Sequence, residues 1–201
     1  MPLMTLEHSP AAYRADFALY GAACLTLAGL ILWRHPPNSG VALALWVLAG
    51  GAGWTLAEYL LHRFVLHGMR PFKDWHLEHH SRPTALIGSP TLLSATLFAS
   101  LVGAPAWWLL GAWPAAALSL GMLSGYLVYG LVHHATHHAA ASGGSKPSSQ
   151  SEWLMRRRRW HALHHAKRAA GAPASHFGVS IGLWDALFGT GRAPRGQRPV
   201  R

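Results

Sequence analysis

Four apolar stretches, over about 17–33, 41–61, 90–110 and 113–132, dominate the chain before residue 133. Each is close to the roughly 20 residues a helix needs to cross the hydrocarbon core of a bilayer. A chain of 201 residues that commits so much of itself to such runs has little room for another architecture. The expected fold is all-α: a four-helix integral membrane bundle, multi-pass, with the remaining residues gathered into a helical cap. Composition agrees, since 51% of the residues are hydrophobic and only 12% charged, against about a quarter charged in an ordinary soluble domain. A dry helical core without lipid would use similar residues, but Trp33, Trp113 and basic residues flank the runs as they do at membrane interfaces.

The joints between runs are equally readable. Arg34-His35-Pro36-Pro37-Asn38-Ser39-Gly40 makes a turn, and only Gly111 and Ala112 separate the third run from the fourth, which predicts an antiparallel hairpin. Gly50, Gly51 and Gly53 lie inside the second run, where small residues let neighbouring backbones approach in lipid. Pro90 and Pro114 are expected in first helical turns, where a missing N–H does no harm, and Pro105 is expected to kink the third helix. The first run is not read as a cleaved signal peptide, because Glu7 and Asp16 precede it and no small-residue cleavage site follows. Cys24, the single cysteine, lies within it; no internal disulfide can form, and the residue reads as small and apolar.

The formal charge of +10 invites a nucleic-acid partner, but its distribution argues against one. Of the 17 Lys and Arg residues, 11 follow His138 and four lie between His62 and Gly88. Basic residues gathered outside apolar spans follow the positive-inside bias, so this side is expected to be cytoplasmic, and both termini with it. Arg156 to Arg159 form the one dense run; without interleaved aromatics it fits anionic headgroups better than nucleic acid. The whole chain, 1–201, is read as a single domain with a cytoplasmic cap over 62–89 and 133–190 and a basic tail over 191–201. Within the cap, 139–151 is a Gly- and Ser-rich flexible loop and 152–168 is helical.

Histidine carries the chemistry. Fifteen are present, and twelve fall in four clusters: His62 and His67; His76, His79 and His80; His133, His134, His137 and His138; His161, His164 and His165. Two spans separate His67 from His133, so all four clusters should emerge on one side. Neutral imidazole is the commonest metal ligand, and residues three and four apart share a helix face. Each triplet can therefore aim several nitrogens at one point. His133 with His137, and His134 with His138, are one turn apart, but both pairs cannot point the same way. His62 and His67 are five apart, about 7.5 Å of helical rise; they serve different ions or lie across a distorted turn. Glu58, one turn earlier, either orients His62 through its second nitrogen or pairs with Arg63 or another base nearby. His8 and His35 stand outside the clusters.

So many imidazoles exceed the four ligands of a structural zinc and the three of a catalytic one. The pattern reads as a cytoplasmic site for two metals at the span ends. Imidazole suits iron, copper, nickel and zinc. Two ions sharing about ten nitrogens, with room left for oxygen, would suit iron engaged in oxygen chemistry.

The residues Glu58 to His67, His76-Leu77-Glu78-His79-His80, Tyr129 to His138, His161-Ala162-Leu163-His164-His165, Phe177-Gly178 and Trp184 to Thr190 together resemble the membrane fatty acid hydroxylase and sterol desaturase superfamily. Cluster order and the four-span layout are most similar to its fatty acid 2-hydroxylase branch. The resemblance implies a non-haem di-metal site, two iron ions in the working enzyme, with O2 as cosubstrate; zinc would substitute readily. Carried over residue by residue, the ligands would be His62, His67, His76, His79, His80, His133, His137, His161, His164 and His165. His134 falls where that branch often has tyrosine, and His138 follows the usual pair, so neither is counted. His176 precedes the Phe-Gly pair, where related enzymes carry glycine or asparagine, and Trp184-Asp185 is expected to pack the cap. A cytochrome b5-like domain, found in many eukaryotic members, is not expected here, and 139–151 lengthens the gap between the third and fourth clusters.

The implied function is an O2-dependent oxidoreductase that hydroxylates a lipid, a fatty-acyl chain foremost, entering from the bilayer with its polar head near cytoplasmic bases. Electrons would come from a separate electron-transfer protein, since no flavin, haem or nicotinamide motif is present. Hydroxylation of a sterol or carotenoid, and desaturation, would use the same site. Two other classes compete. A membrane zinc hydrolase would gather histidines too, but neither His-Glu-x-x-His nor its inverted form occurs. A metal transporter would place its site nearer the midplane, on broken helices.

Overall fold

Ser9 holds an extended backbone and accepts the Ala12 N–H on its Oγ at 3.2 Å, and Pro10 follows it. A capping hydroxyl and a proline with φ preset start a helix without strain, and α1 runs over Pro10–Arg34. It ends as His35, held extended before Pro36, leaves the helical region. In the computed structural model, which describes residues 6–138, 151–166 and 174–191, α2 (Gly40–Leu60) continues directly into a π-helical turn, Leu61–Leu66. Then come α3 (Phe72–Ser81), α4 (Thr91–Phe98), a second π turn (Ala99–Gly103), α5 (Ala104–Leu110) and α6 (Ala112–His138). Helices α7 (Glu152–His165) and α8 (Leu183–Leu187) complete the order. The described residues contain no β-strand, only one antiparallel bridge between Glu7 and Ile87.

Four helices are long and apolar enough to cross a membrane: Pro10–Arg34, Gly40–Leu66, Thr91–Leu110 and Ala112–His138. Each exceeds or closely matches its expected run, because helical hydrogen bonding continues into polar residues that a hydropathy pattern leaves out. The most marked case is the fourth, which runs on through the histidines to His138. Pro90 is the residue before α4 rather than part of its first turn, whereas Pro114 does lie in the first turn of α6. The disruption expected at Pro105 takes the form of the π turn just before it, which absorbs the missing N–H and the bulk of the ring. Gly111 alone joins α5 to α6, at φ 82°, a left-handed conformation that glycine adopts without penalty. The loop expected over 139–151 and the tail over 191–201 lie almost wholly outside the described residues, as do Lys167 and Arg168.

The described residues divide into two units, one from 6–55 and 85–130, the other from 56–84 and 131–191. In the first, large apolar side chains face outward: Trp33, Leu32, Val41 and Trp108 are each more than three-quarters exposed. Water would penalise such a surface; lipid does not, and a helix satisfies its own backbone polar groups there. This is an integral membrane protein. Ile31, Leu43 and Ala117 form one buried cluster, while Tyr20, Trp54, Phe98 and Tyr126 form an aromatic one, with Tyr20 and Tyr126 edge to face at 4.8 Å. Gly50 and Gly121 sit where α2 and α6 touch, as the glycines of the second run led one to expect.

Buried Tyr20 shares a 2.6 Å hydrogen bond with Ser94 Oγ. Ser94 keeps backbone acceptors at Pro90 and Thr91 without it. Tyr20→Phe is therefore expected to cost only about 0.6 kcal/mol, the average for such bonds between membrane helices. Detergent-titrated unfolding of the full chain would check this.

Candidate metal centre

All four histidine clusters belong to the second unit. The π turn settles the relation of His62 and His67. In a turn that closes on the fifth residue rather than the fourth, they come onto one side with ring centroids 5.3 Å apart. Of the two arrangements open to this pair, the distorted turn is the one found.

The imidazoles converge in two groups whose ligand atoms lie within 4.8 Å of one another: His79, His133, His137, His161 and His165 in one, His62, His67, His76 and His164 in the other. In the first, His79 and His133 bring their Nε2 atoms to 3.1 Å and His137 and His161 theirs to 2.8 Å. In the second, the Nε2 atoms of His62 and His76 are 3.0 Å apart, and those of His67 and His164 are 3.1 Å apart. His80 adjoins the second group, its Nε2 3.0 Å from both His76 Nε2 and His164 Nε2, while its ring stacks on His165 at 4.1 Å.

Each triplet aims two of its imidazoles at one group and the third at the other. On α3, His76 and His80 serve the second group and His79 the first; on α7, His161 and His165 serve the first and His164 the second. Helical geometry explains the split. Residues four apart differ by about 40° around the axis, whereas the residue between them in the motif is rotated by about 100° from its neighbour. Each helix thus straddles the two groups.

The donor set fits metal ions. His62 Nδ1 donates to the Phe177 carbonyl at 2.6 Å and His164 Nδ1 to that of Ser175 at 2.8 Å. A carbonyl only accepts, so the proton is fixed on Nδ1 and the Nε2 lone pair is turned inward. Nε2 atoms brought to about 3 Å, several to a group, are spaced as the ligands of a shared cation are. His165 is more telling still: neither of its buried ring nitrogens has a hydrogen-bond partner, nor has Nδ1 of His79 or His161. Buried polar atoms are seldom left so.

Electrostatics keep these rings in ligand form. Burial, then the neighbouring imidazole His80 and Lys73, lowers His67 to about 4; burial alone lowers His80 to about 4. Burial and His137 lower His79 to about 3, and His76, His161 and His164 are pushed far down by burial and then by neighbouring imidazoles, His62 first for His76 and His164 and His133 first for His161. Rings that ordinarily titrate near 6.5 are neutral throughout the physiological range, the state that binds metal. Between about pH 6.5 and 4 the unfolded chain binds protons that the folded chain refuses, so folding stability falls with pH there. The metal-free chain should hold its full stability above pH 6.5 and lose it progressively as pH drops through 4. Denaturation midpoints at pH 7.5, 6 and 5 check the sign; a flat profile would contradict it.

His134 and His138 stack on each other at 4.3 Å and stand outside both groups. His176 is also outside them, its Nδ1 2.8 Å from Ser175 Oγ and its backbone at φ 57°. That left-handed conformation accounts for the glycine or asparagine expected at this position, residues that enter it readily. His8 and His35 are likewise absent from the groups.

Two buried carboxylates complete the site. Glu58 neither touches His62 nor pairs with Arg63, which donates instead to Tyr59 Oη at 2.7 Å. Its Oε1 accepts the N–H groups of Val179 and Ser180 at 2.6 and 2.9 Å, and its Oε2 accepts the Ser180 hydroxyl. Asp185 is wholly buried and accepts the N–H groups of Phe177 and Gly178 at 2.9 and 2.7 Å and the Thr190 hydroxyl at 2.6 Å. Sequence reasoning gave Asp185 only a packing role and passed over Ser175 and Ser180. The available signal was rarity: with seven Asp and Glu in the chain, one inside an apolar run must have partners. Arg157 is a further buried charge, its guanidinium 4.1 Å above the Trp160 ring.

A family model described as fatty acid hydroxylase matches residues 47–190. Among curated proteins, the chain is 30% identical to a dihydroceramide fatty acyl 2-hydroxylase of Arabidopsis thaliana, over 77% of this chain and 62% of that one. It is 30% identical to a fatty acid 2-hydroxylase of Rattus norvegicus, over 75% of this chain and 40% of the relative. A ceramide very long chain fatty acid hydroxylase of Saccharomyces cerevisiae is 32% identical over 70% of this chain and 36% of its own length. The chain therefore spans less than two thirds of each of these relatives. A solved structure of full-length scs7p, in which only the hydroxylase domain is visible, shares the fold with a TM-score of 0.72 at 24% identity, covering 98% of this chain and 72% of that one.

Proposed function

We propose a function for this chain on the premise that it belongs to the fatty acid hydroxylase family. It is a membrane-bound non-haem di-iron oxygenase that hydroxylates a fatty-acyl chain, with carbon 2 the first position to test because the plant and rat relatives are 2-hydroxylases. The observation that carries this reading is the pair of convergent imidazole groups. His79, His133, His137, His161 and His165 would hold one ion; His62, His67, His76, His164 and His80 the other. Nitrogen-only donors suit iron among other metals. Two such ions, when bound, would activate O2 as the oxidant for the balanced change in which R–H, O2, two electrons and two protons give R–OH and water.

The chain itself supplies geometry and dryness. The Phe177 and Ser175 carbonyls hold the rings of His62 and His164 with their lone pairs inward. Burial of His62, His76, His79, His161 and His164 keeps bulk water from competing with substrate. The remaining features of the proposal are a separate electron-transfer protein, both termini cytoplasmic, and one functional domain over 1–201. The charge asymmetry supports the orientation, and α2 and α6, which contribute residues to both units, support the single domain.

Full-length protein in lipid, loaded with iron and given a chemical electron donor, should consume oxygen only when an acyl lipid is present. Mass spectrometry of that lipid should show the gain of one oxygen atom. Loss of two hydrogens would make it a desaturase, a modified sterol or carotenoid would change the substrate class, and zinc-supported hydrolysis or metal flux across vesicles would overturn the reading.

A further inference from the structure

We propose that Glu58 and Asp185 are positioning residues that clamp the segment 175–180 and thereby orient the imidazoles of one metal ion only. This rests on the reading above, in which His62 and His164 hold metal. Between them the two carboxylates accept the four consecutive N–H groups of Phe177, Gly178, Val179 and Ser180. With its N–H edge pinned, the segment has little freedom to turn, and its carbonyls at Ser175 and Phe177 are the acceptors for His164 Nδ1 and His62 Nδ1. The turn is tight enough to require glycine in its middle: a Cβ on Gly178 would lie 2.0 Å from the Ile181 carbonyl and 2.9 Å from Asp185 Oδ2.

The two imidazoles so anchored belong to the same group, with His67 and His76. In the other group, His79 and His161 have Nδ1 atoms without a hydrogen-bond partner among the described residues. The clamp thus acts on the ligands of one group, through the carbonyls that His62 and His164 reach.

The test is metal affinity of the full chain in detergent, measured by titrating cobalt(II) against a chelator and following cobalt absorption. The parent should bind two ions. Glu58→Gln and Asp185→Asn should each retain one at parental strength and weaken the other by about 10- to 100-fold, the usual effect of removing a partner behind a ligand. The cobalt spectrum of the weakened ion should change while that of the retained ion does not. Ser180→Ala, which removes a single donor to Glu58 and spares the backbone, should weaken the same ion less and leave the melting of the metal-free chain unchanged. Parental affinity in all three variants, or equal weakening of both ions, overturns the clamp. If the carboxylate variants fail to fold, parental affinity in Ser180→Ala overturns it. A parent that binds no metal overturns the proposed function, and this inference with it.

Discussion

His164→Ala is expected to abolish lipid hydroxylation, lowering kcat/KM by more than about 100-fold, while the chain still folds and inserts. The His164 imidazole is tied to several parts of the site at once. Its Nδ1 is bonded to the Ser175 carbonyl, and its Nε2 lies 3.1 Å from that of His67 and 3.0 Å from that of His80. Alanine removes a ligand together with its hydrogen bond to the Ser175 carbonyl. Metal content should fall from two ions to one, read by elemental analysis of the purified chain beside oxygen uptake. His79→Ala should do the same to the other ion. His8→Ala is the control: that ring lies outside both groups and its loss should change neither readout. Survival of activity in both cluster variants would remove these residues from the site.

Gly121→Ala should be severely destabilising, whereas Gly21→Ala, the same chemical change, should not. A Cβ on Gly121 would lie 2.0 Å from the Val47 carbonyl oxygen and 2.8 Å from the Gly51 nitrogen. Both obstacles are backbone, which cannot swing aside as a side chain would. The contact is reciprocal, for a Cβ on Gly50 would lie 2.2 Å from the Leu118 carbonyl. α2 and α6 would have to separate, forfeiting the close packing on which helix association in lipid depends; overpacking of this kind costs about 1–3 kcal/mol or more. Nothing stands within 4 Å of a Cβ on Gly21. Comparing the fraction of folded chain after graded heating in detergent separates the two, and equal melting would show that α2 and α6 have slack.

These two outcomes draw on very different amounts of sequence information. The spans were legible because the bilayer imposes a length and an apolar composition that a linear string displays directly. The histidines were legible because few other roles call for imidazole three and four residues apart on successive helices. What escaped was whatever depends on a partner remote in sequence or on the exact turn of a helix. The division of His76, His79 and His80 follows from rotation about α3, which only matters once two groups flank that helix. Glu58 was weighed against its neighbours His62 and Arg63, yet its partners lie 121 and 122 residues away and are mostly backbone N–H groups, which every residue type carries. Asp185 went unread for the same reason. The positive φ of His176 leaves no periodic trace, and its meaning depends on knowing what usually occupies such a position.

The wide turn at Leu61–Leu66 holds one residue more than an ordinary helical turn would. A chain lacking that extra residue could bring its first two histidines to the same side through a plain α turn, four apart instead of five. Spacing along the string and alignment in space are therefore decoupled at this point. A pattern search that insists on the interval between His62 and His67 would discard proteins built to the same plan.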